Sequence, residues 1–119
     1  MDNAAYSQGA VFSVPQILAD GKYTTRKVTI LSGQTIVPGH VLGKITASGK
    51  YIVSLSAAVD GSQIPDFIAE SAVDATGGDK EAIVYETGNV VASALTLGAG
   101  HTLASVREGL RVKGLVIDD

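Results

Sequence analysis

The chain has 119 residues, a formal net charge of −3 at neutral pH and no cysteine. This length fits one domain, and the lack of cysteine excludes a disulfide framework, cysteine-based zinc sites and cysteine nucleophiles. Hydrophobic residues make up 45% of the chain but aromatic residues only 5%, with no Trp, so a core must be built from Val, Ile, Leu and Ala.

Targeting and binding signals that mark other protein classes are missing from the sequence. The N-terminal residues lack a basic region followed by an apolar stretch, which a secretory signal requires. No apolar run reaches the ~18 residues of a membrane span. No basic block with interleaved aromatic residues marks a nucleic-acid surface. We therefore expect a soluble protein that binds neither membrane nor nucleic acid.

Residues 1–16 are rich in small and polar residues and show neither helical nor strand periodicity. They carry one charge, at Asp2, and end beside Pro15. Segments of this kind at chain termini are often poorly ordered until a partner holds them. We interpret residues 1–16 as an extended arm and residues 17–119 as one β-rich domain. The arm contains four apolar or aromatic residues that are unusual in a solvated tail: Tyr6, Val11, Phe12 and Val14.

Short strands separated by turn residues follow from Thr25 onward. The first is predicted over 26–31, with Val28 and Ile30 on one face. Extended segments at 35–37 and 41–45 follow. The turn at 47–50 leads into a strand over 51–55, with alternation of Tyr51, Val53 and Leu55, a pattern typical of a hairpin.

The second half of the chain continues in the same manner. Strands are predicted at 66–70, 81–85 and 90–92, with a polar loop at 74–79 and a turn at 86–89. One short helix is predicted near the end, capped by Thr102 and ending near Gly109. A last strand is predicted within 113–117. The fold class is therefore mainly β, a compact sandwich or barrel with one short C-terminal helix and an extended N-terminal arm.

Residues that could carry catalysis or bind a metal form no recognisable constellation. His40 and His101 lie in predicted loops, without a spacing typical of metal ligands, and we interpret both as surface histidines. Asp74 and Asp79 lie among glycines but lack the spacing of a calcium loop. The sequence predicts no catalytic residue, no metal site and no cofactor, and therefore a protein that is not an enzyme.

A second class of protein, a small carrier domain, is also compatible with the sequence alone. Residues 32–43 have the glycine and valine rhythm of a biotinyl or lipoyl carrier hairpin. Such a carrier needs a lysine at an exposed hairpin tip, and Lys50 is the nearest candidate. The alternative is thus a small β carrier or binding module of non-viral metabolism.

An ordered series of segments resembles the bacteriophage lambda head decoration protein family. No single segment is specific, but their order and spacing resemble the family pattern from about residue 28 to residue 117. The segments that carry the resemblance are 38–44, 48–53, 60–62 with Pro65, 68–70, 73–75, 82–90 and 110–117.

The resemblance implies a structural protein that catalyses nothing. It implies a homotrimer that adds to three-fold sites on the outside of the expanded phage capsid and stabilises the head. The partners would be the major capsid protein and two further copies of the chain, and the protein would be on the virion surface after a period in the host cytoplasm. The resemblance also implies that the N-terminal segment contacts the capsid, which makes Tyr6, Val11, Phe12 and Val14 the candidate capsid-binding residues.

Overall fold

A computed structural model describes residues 17–19 and 21–118. In this part of the chain, eight strands, one 3-10 helix and one α-helix are present. Their bounds are β1 Thr24–Ile30, β2 Thr35–Ile36, β3 Val41–Lys44, β4 Tyr51–Val53, β5 Pro65–Ala69, β6 Val73–Asp74, β7 Lys80–Val91, the 3-10 helix Ala92–Ala94, α1 Leu103–Lys113 and β8 Leu115–Asp118. None of the helices among the described residues is long and apolar enough to cross a membrane.

Five of the strands close into a barrel in the order β1-β4-β3-β5-β7, with β7 returning to β1. All neighbours in the barrel are antiparallel except β1 and β4, which pair in parallel at Ile30 and Tyr51. Closure leaves no free edge in the barrel itself. β8 lies outside the barrel, parallel to the last part of β7, and β2 pairs separately with β6. The prediction of a mainly β, barrel-like fold with one C-terminal helix is confirmed.

The turn predicted at residues 86–89 is wrong, because these residues lie within β7, the longest strand. The chain runs extended from Lys80 to Val91 without reversing. Tertiary pairing overrides the local Gly-Asn preference, because β1 pairs with β7 up to Thr87 and β8 pairs from Gly88 onward. Gly88 has a φ of 141°, and a Cβ there would lie 2.8 Å from the Cβ of Tyr23. Glycine is therefore needed at this position, both for its positive φ and for the close approach of Tyr23, the residue before β1.

The barrel interior and the space under the helix are filled by aliphatic side chains, as the composition requires. In β1, Val28 and Ile30 are buried, so the predicted alternation of that strand is confirmed. The predicted alternation of Tyr51, Val53 and Leu55 is wrong at its end, because β4 stops at Val53. The most buried large side chains are Ile30, Ile36, Val41, Leu42, Ile68, Val84, Val90, Val106, Leu110 and Leu115.

Helix α1 packs on β5 and β8 and begins as predicted. The Ser105 backbone N–H donates to Thr102 Oγ1 at 3.2 Å, and the Ser105 hydroxyl accepts from the Thr102 N–H, which makes a capping box. The predicted end at Gly109 is wrong, because the helix continues to Gly114, whose φ of 98° terminates it. Gly109 lies within the helix and faces Pro65 of β5, whose Cδ would lie 3.4 Å from an added Cβ, an ordinary van der Waals contact.

Candidate functional site

The four candidate capsid-binding residues, Tyr6, Val11, Phe12 and Val14, lie outside the described residues. The described part begins with a short segment that is attached to the barrel. Leu18 bridges Val90 in antiparallel orientation, and the Val91 N–H donates to the Ile17 carbonyl at 2.6 Å. The side chain of Ile17 is buried, at 4% exposure. The described chain is therefore attached to the barrel from Ile17 onward.

The opposite edge of the same part of β7 is occupied by β8. Gly88 to Val91 pair in register with Leu115 to Asp118. Because Val90 pairs with both Leu18 and Ile117, the two segments must lie on the two edges of β7. The first and last described segments thus form a three-stranded patch with the end of β7.

A shallow groove opens where β7 ends. It has a volume of about 330 Å³ and is lined by Val91, Ala92, Ser93, Leu103 and Asp118. The residues come from β7, the 3-10 helix, the first residue of α1 and the last described residue of β8. Val91, Ala92 and Leu103 give it apolar walls, and Asp118 is its only charged lining residue. Such a recess suits an apolar side chain better than a polar ligand.

His40 is half-buried rather than a freely exposed surface histidine. Its Nδ1 lies 3.0 Å from the Val37 backbone N–H, which donates to it. Accepting this bond requires an unprotonated Nδ1, and loss of solvent around the ring lowers the pKa of His40 below its usual 6.5. The ring therefore closes the turn between β2 and β3 in its neutral form, which is a structural role.

His101 also holds structure together. Its Nε2 lies 3.1 Å from both the Ser54 hydroxyl and the Gln63 carbonyl, and its Nδ1 lies 2.9 Å from the Ser105 hydroxyl. A serine beside a histidine nitrogen can be a nucleophile, but only where substrate can reach it. The Ser54 side chain is fully buried, so this contact is structural. Both histidines keep part of their surface in solvent, and His101 joins separate loops whereas the His40 ring closes a single turn.

A buried carboxylate was missed by sequence reasoning. Asp66 is 8% exposed, accepts a hydrogen bond from the Tyr51 hydroxyl at 3.1 Å, and lies 3.3 Å from Lys113 Nζ. Burial, and then the negative charge of Asp66, raise the pKa of Tyr51 to about 12. Tyr51 also stacks on Phe67, with ring centroids 5.7 Å apart. These contacts join the end of α1 to the barrel, and no sequence signal connects residues 51, 66 and 113.

The remaining sequence candidates are engaged in turns or ion pairs. Lys50 Nζ lies 2.6 Å from Asp79 Oδ2, so the lysine of the carrier hypothesis is ion-paired to a neighbouring loop. Asp74 Oδ1 accepts from the backbone and hydroxyl of Thr76, which lowers the pKa of Asp74. Among residues 17–19 and 21–118, no cluster of His, Cys, Asp and Glu could hold a metal ion.

Comparison with protein-family models gives a match that covers most of the chain. A family model described as Bacteriophage lambda head decoration protein D matches residues 16–112, which is 97 of the 119 residues. No curated protein matches the chain.

Proposed function

Because this chain belongs to the family of the bacteriophage lambda head decoration protein D, we propose that it binds the outer surface of the expanded phage capsid and stabilises the head. The family match over residues 16–112 is the observation that carries the proposal. A head decoration protein is a structural component of the virion capsid. The finer statements, that it acts as a homotrimer at three-fold sites and is present in the host cytoplasm during assembly, belong to the same proposal.

The closed barrel suits a protein that acts through contact area rather than chemistry. Its strands leave no free edge within the barrel, and its buried polar residues, such as Asp66 and Ser54, have partners inside the protein. A trimer that contacts several capsid subunits sums weak contacts into a tight hold. Binding only to the expanded shell stabilises that state by mass action. Such a protein needs no catalytic residue, cofactor or nucleic acid.

Within this proposal, residues 1–16 form the arm that contacts the major capsid protein, and residues 17–119 form the body. Attachment at Ile17 supports this division, since it holds one end of the arm against the barrel. Tyr6, Val11, Phe12 and Val14 would bind capsid by adding an extended segment to an exposed strand edge, where main-chain hydrogen bonds give affinity and alternate side chains fill pockets. Ordering the arm costs ~1–2 kcal/mol per residue, so several apolar contacts are needed to offset it.

Deletion of residues 2–14 tests the arm. We expect the trimer mass and the unfolding temperature to change little, while binding to expanded capsids that lack decoration protein falls sharply. A full-length variant with Val11, Phe12 and Val14 replaced by Ser serves as a control for length, and we expect the same loss of binding. Normal decoration by both variants would contradict the role of the arm. Failure of the deletion variant to fold would show that the arm belongs to the body.

A further inference from the structure

The loop between β4 and β5 contains Asp60 followed directly by Gly61, a pair that can isomerise without any enzyme. The Gly nitrogen attacks the Asp Cγ and loses its proton, while one carboxyl oxygen leaves as water, which gives a five-membered succinimide. Water then opens this ring, and opening at the main-chain carbonyl gives isoaspartate. Glycine favours the reaction, because it has no side chain to shield its nitrogen.

The fold requires both members of this pair. Gly61 has a φ of 103°, and a Cβ added to it would lie 2.1 Å from Thr46 Oγ1, so no larger residue fits there. The Asp60 carbonyl accepts from the Thr46 N–H at 2.9 Å. The Asp60 side chain shapes the turn, since its Oδ1 accepts from both the backbone N–H and the hydroxyl of Ser62. The reactive pair therefore cannot be replaced without disturbing the loop.

Hydrogen bonds hold both of the groups that would react. The Gly61 N–H donates to Gln63 Oε1 at 2.8 Å, which fixes the attacking nitrogen. The two bonds from Ser62 favour the ionised carboxylate and lower the pKa of Asp60. An ionised carboxylate is a poor electrophile, because attack would add further negative charge to it. Ring closure would also convert the carboxylate into a neutral imide carbonyl, which accepts weaker hydrogen bonds than a charged oxygen.

We propose that Asp60–Gly61 is an isomerisation site that the folded protein keeps unreactive through the hydrogen bonds of Ser62 and Gln63. Isoaspartate would lengthen the main chain by one carbon in a loop that has no room for it. The Ser62 carbonyl oxygen would lie only 1.9 Å from a Cβ added to Gly43, so a displaced loop would press on β3. This protection preserves the barrel, and it is independent of capsid binding.

The turn at Asp74 provides a matched control within the same chain. Asp74 Oδ1 accepts from the backbone N–H of Thr76 at 3.0 Å and from its hydroxyl at 2.7 Å, the same arrangement as at Asp60. The next residue, however, is Ala75, which is fully buried and whose methyl group shields its nitrogen. Thr76→Val therefore removes a hydrogen bond of the same kind without exposing a reactive pair.

Long incubation at mildly acidic pH tests the protection, with protease digestion and electron-transfer dissociation to distinguish isoaspartate from aspartate at equal mass. We expect Ser62→Ala and Gln63→Ala to form isoaspartate at Asp60 roughly five- to tenfold faster than the unmodified protein, the rate factor that corresponds to one hydrogen bond. We expect Thr76→Val to form no more isoaspartate than the unmodified protein, at Asp60 or at Asp74. Circular dichroism checks that each variant stays folded during the incubation.

A peptide of residues 57–66 gives the rate of the same pair without the fold. We expect isoaspartate to form at Asp60 of the unmodified protein at least about tenfold more slowly than in this peptide. Digestion separates this site from Asp20–Gly21, the second Asp-Gly pair in the sequence. Equal rates in protein and peptide would overturn the proposal, whether or not the variants fold. Folded Ser62→Ala and Gln63→Ala variants that react no faster than the unmodified protein would overturn it as well.

Discussion

At the scale of single residues, His40 shows how a polar side chain can serve the fold alone. Its Nδ1 accepts the Val37 N–H, so the ring takes the place of a backbone acceptor in the turn before β3. The backbone of the same residue accepts from Ala69 N–H at 2.9 Å, which joins the turn to β5. The ring is neutral in this arrangement, and partial burial opposes its protonation.

The lowered pKa of His40 predicts a loss of stability on the acid side. As the pH falls through 6.5, the unfolded chain takes up a proton that the folded chain resists, so the free energy of unfolding decreases. His40→Asn keeps an acceptor near the Nδ1 position but cannot titrate. We expect urea denaturation between pH 7.5 and 5 to show a smaller decrease for His40→Asn than for the unmodified protein. Equal slopes for the two proteins would contradict the prediction.

The carboxylates of Asp60, Asp74 and Asp79 do not account for a difference in stability between His40→Asn and the unmodified protein above pH 5. Hydrogen bonds from Ser62, Thr76 and Lys50 lower the pKa values of Asp60, Asp74 and Asp79 respectively below the usual 3.8. Their stabilising contribution is therefore present at pH 5 and is lost only at lower pH, as each carboxylate becomes protonated.

At the scale of elements, β3 packs against the loop that follows Asp60 without any side chain between them. A Cβ added to Gly43 would lie 1.9 Å from the Ser62 carbonyl oxygen. Ser62 itself is fully buried, and its hydroxyl donates to Asp60 Oδ1 at 2.5 Å. The loop therefore has little freedom to move away from the strand.

We expect Gly43→Ala to lower the free energy of unfolding by ~2 kcal/mol, because overpacking a filled site forces the backbone to shift. Gly77→Ala is the matched control, since no atom lies within 4 Å of an added Cβ there. We expect that variant to stay within ~0.5 kcal/mol of the unmodified protein. Chemical denaturation measures both. Equal stability of the two variants would show that the loop at Ser62 can move away from β3 without lowering the free energy of unfolding.

At the scale of the whole molecule, the described part leaves several apolar side chains in solvent. Val59 is 94% exposed and Val112 is 83% exposed, while Leu55, Ile64 and Val116 are exposed to smaller extents. Since the barrel strands have no free edge, association with other copies would use side-chain contacts rather than strand pairing. Singly exposed apolar residues are common on protein surfaces, so the oligomeric state has to be measured.

Light scattering measures the oligomer directly. At micromolar concentration we expect three times the chain mass of 12.1 kDa, and the same value over a tenfold dilution. A mass of one chain throughout a concentration series extending to the millimolar range would contradict the trimer in solution. Decoration would then be tested separately, by adding the monomer to expanded capsids, because trimers can also form on the shell.

Local sequence signals determined those features whose causes lie within a few residues. The alternation at Val28 and Ile30 predicted the buried face of β1, and Thr102 predicted the start of α1, since a cap acts on N–H groups within one turn. Composition predicted the aliphatic core. The ordered segments indicated the family that the match over residues 16–112 then showed. The capsid-binding residues of the arm stay a prediction.

Only the tertiary structure decided features that depend on distant segments. Gly88 and Asn89 favour a turn locally, but pairing with β1 and β8 on the two edges keeps β7 extended. Gly109 favours a helix end locally, but α1, which packs along β5 and β8, continues to Lys113 and ends at Gly114. The groove joins residues 91–93, 103 and 118, which no local pattern connects. For β7 and α1, long-range packing outweighs a local preference of about 1 kcal/mol, and for the groove there is no local preference at all, so only the folded chain could decide these features.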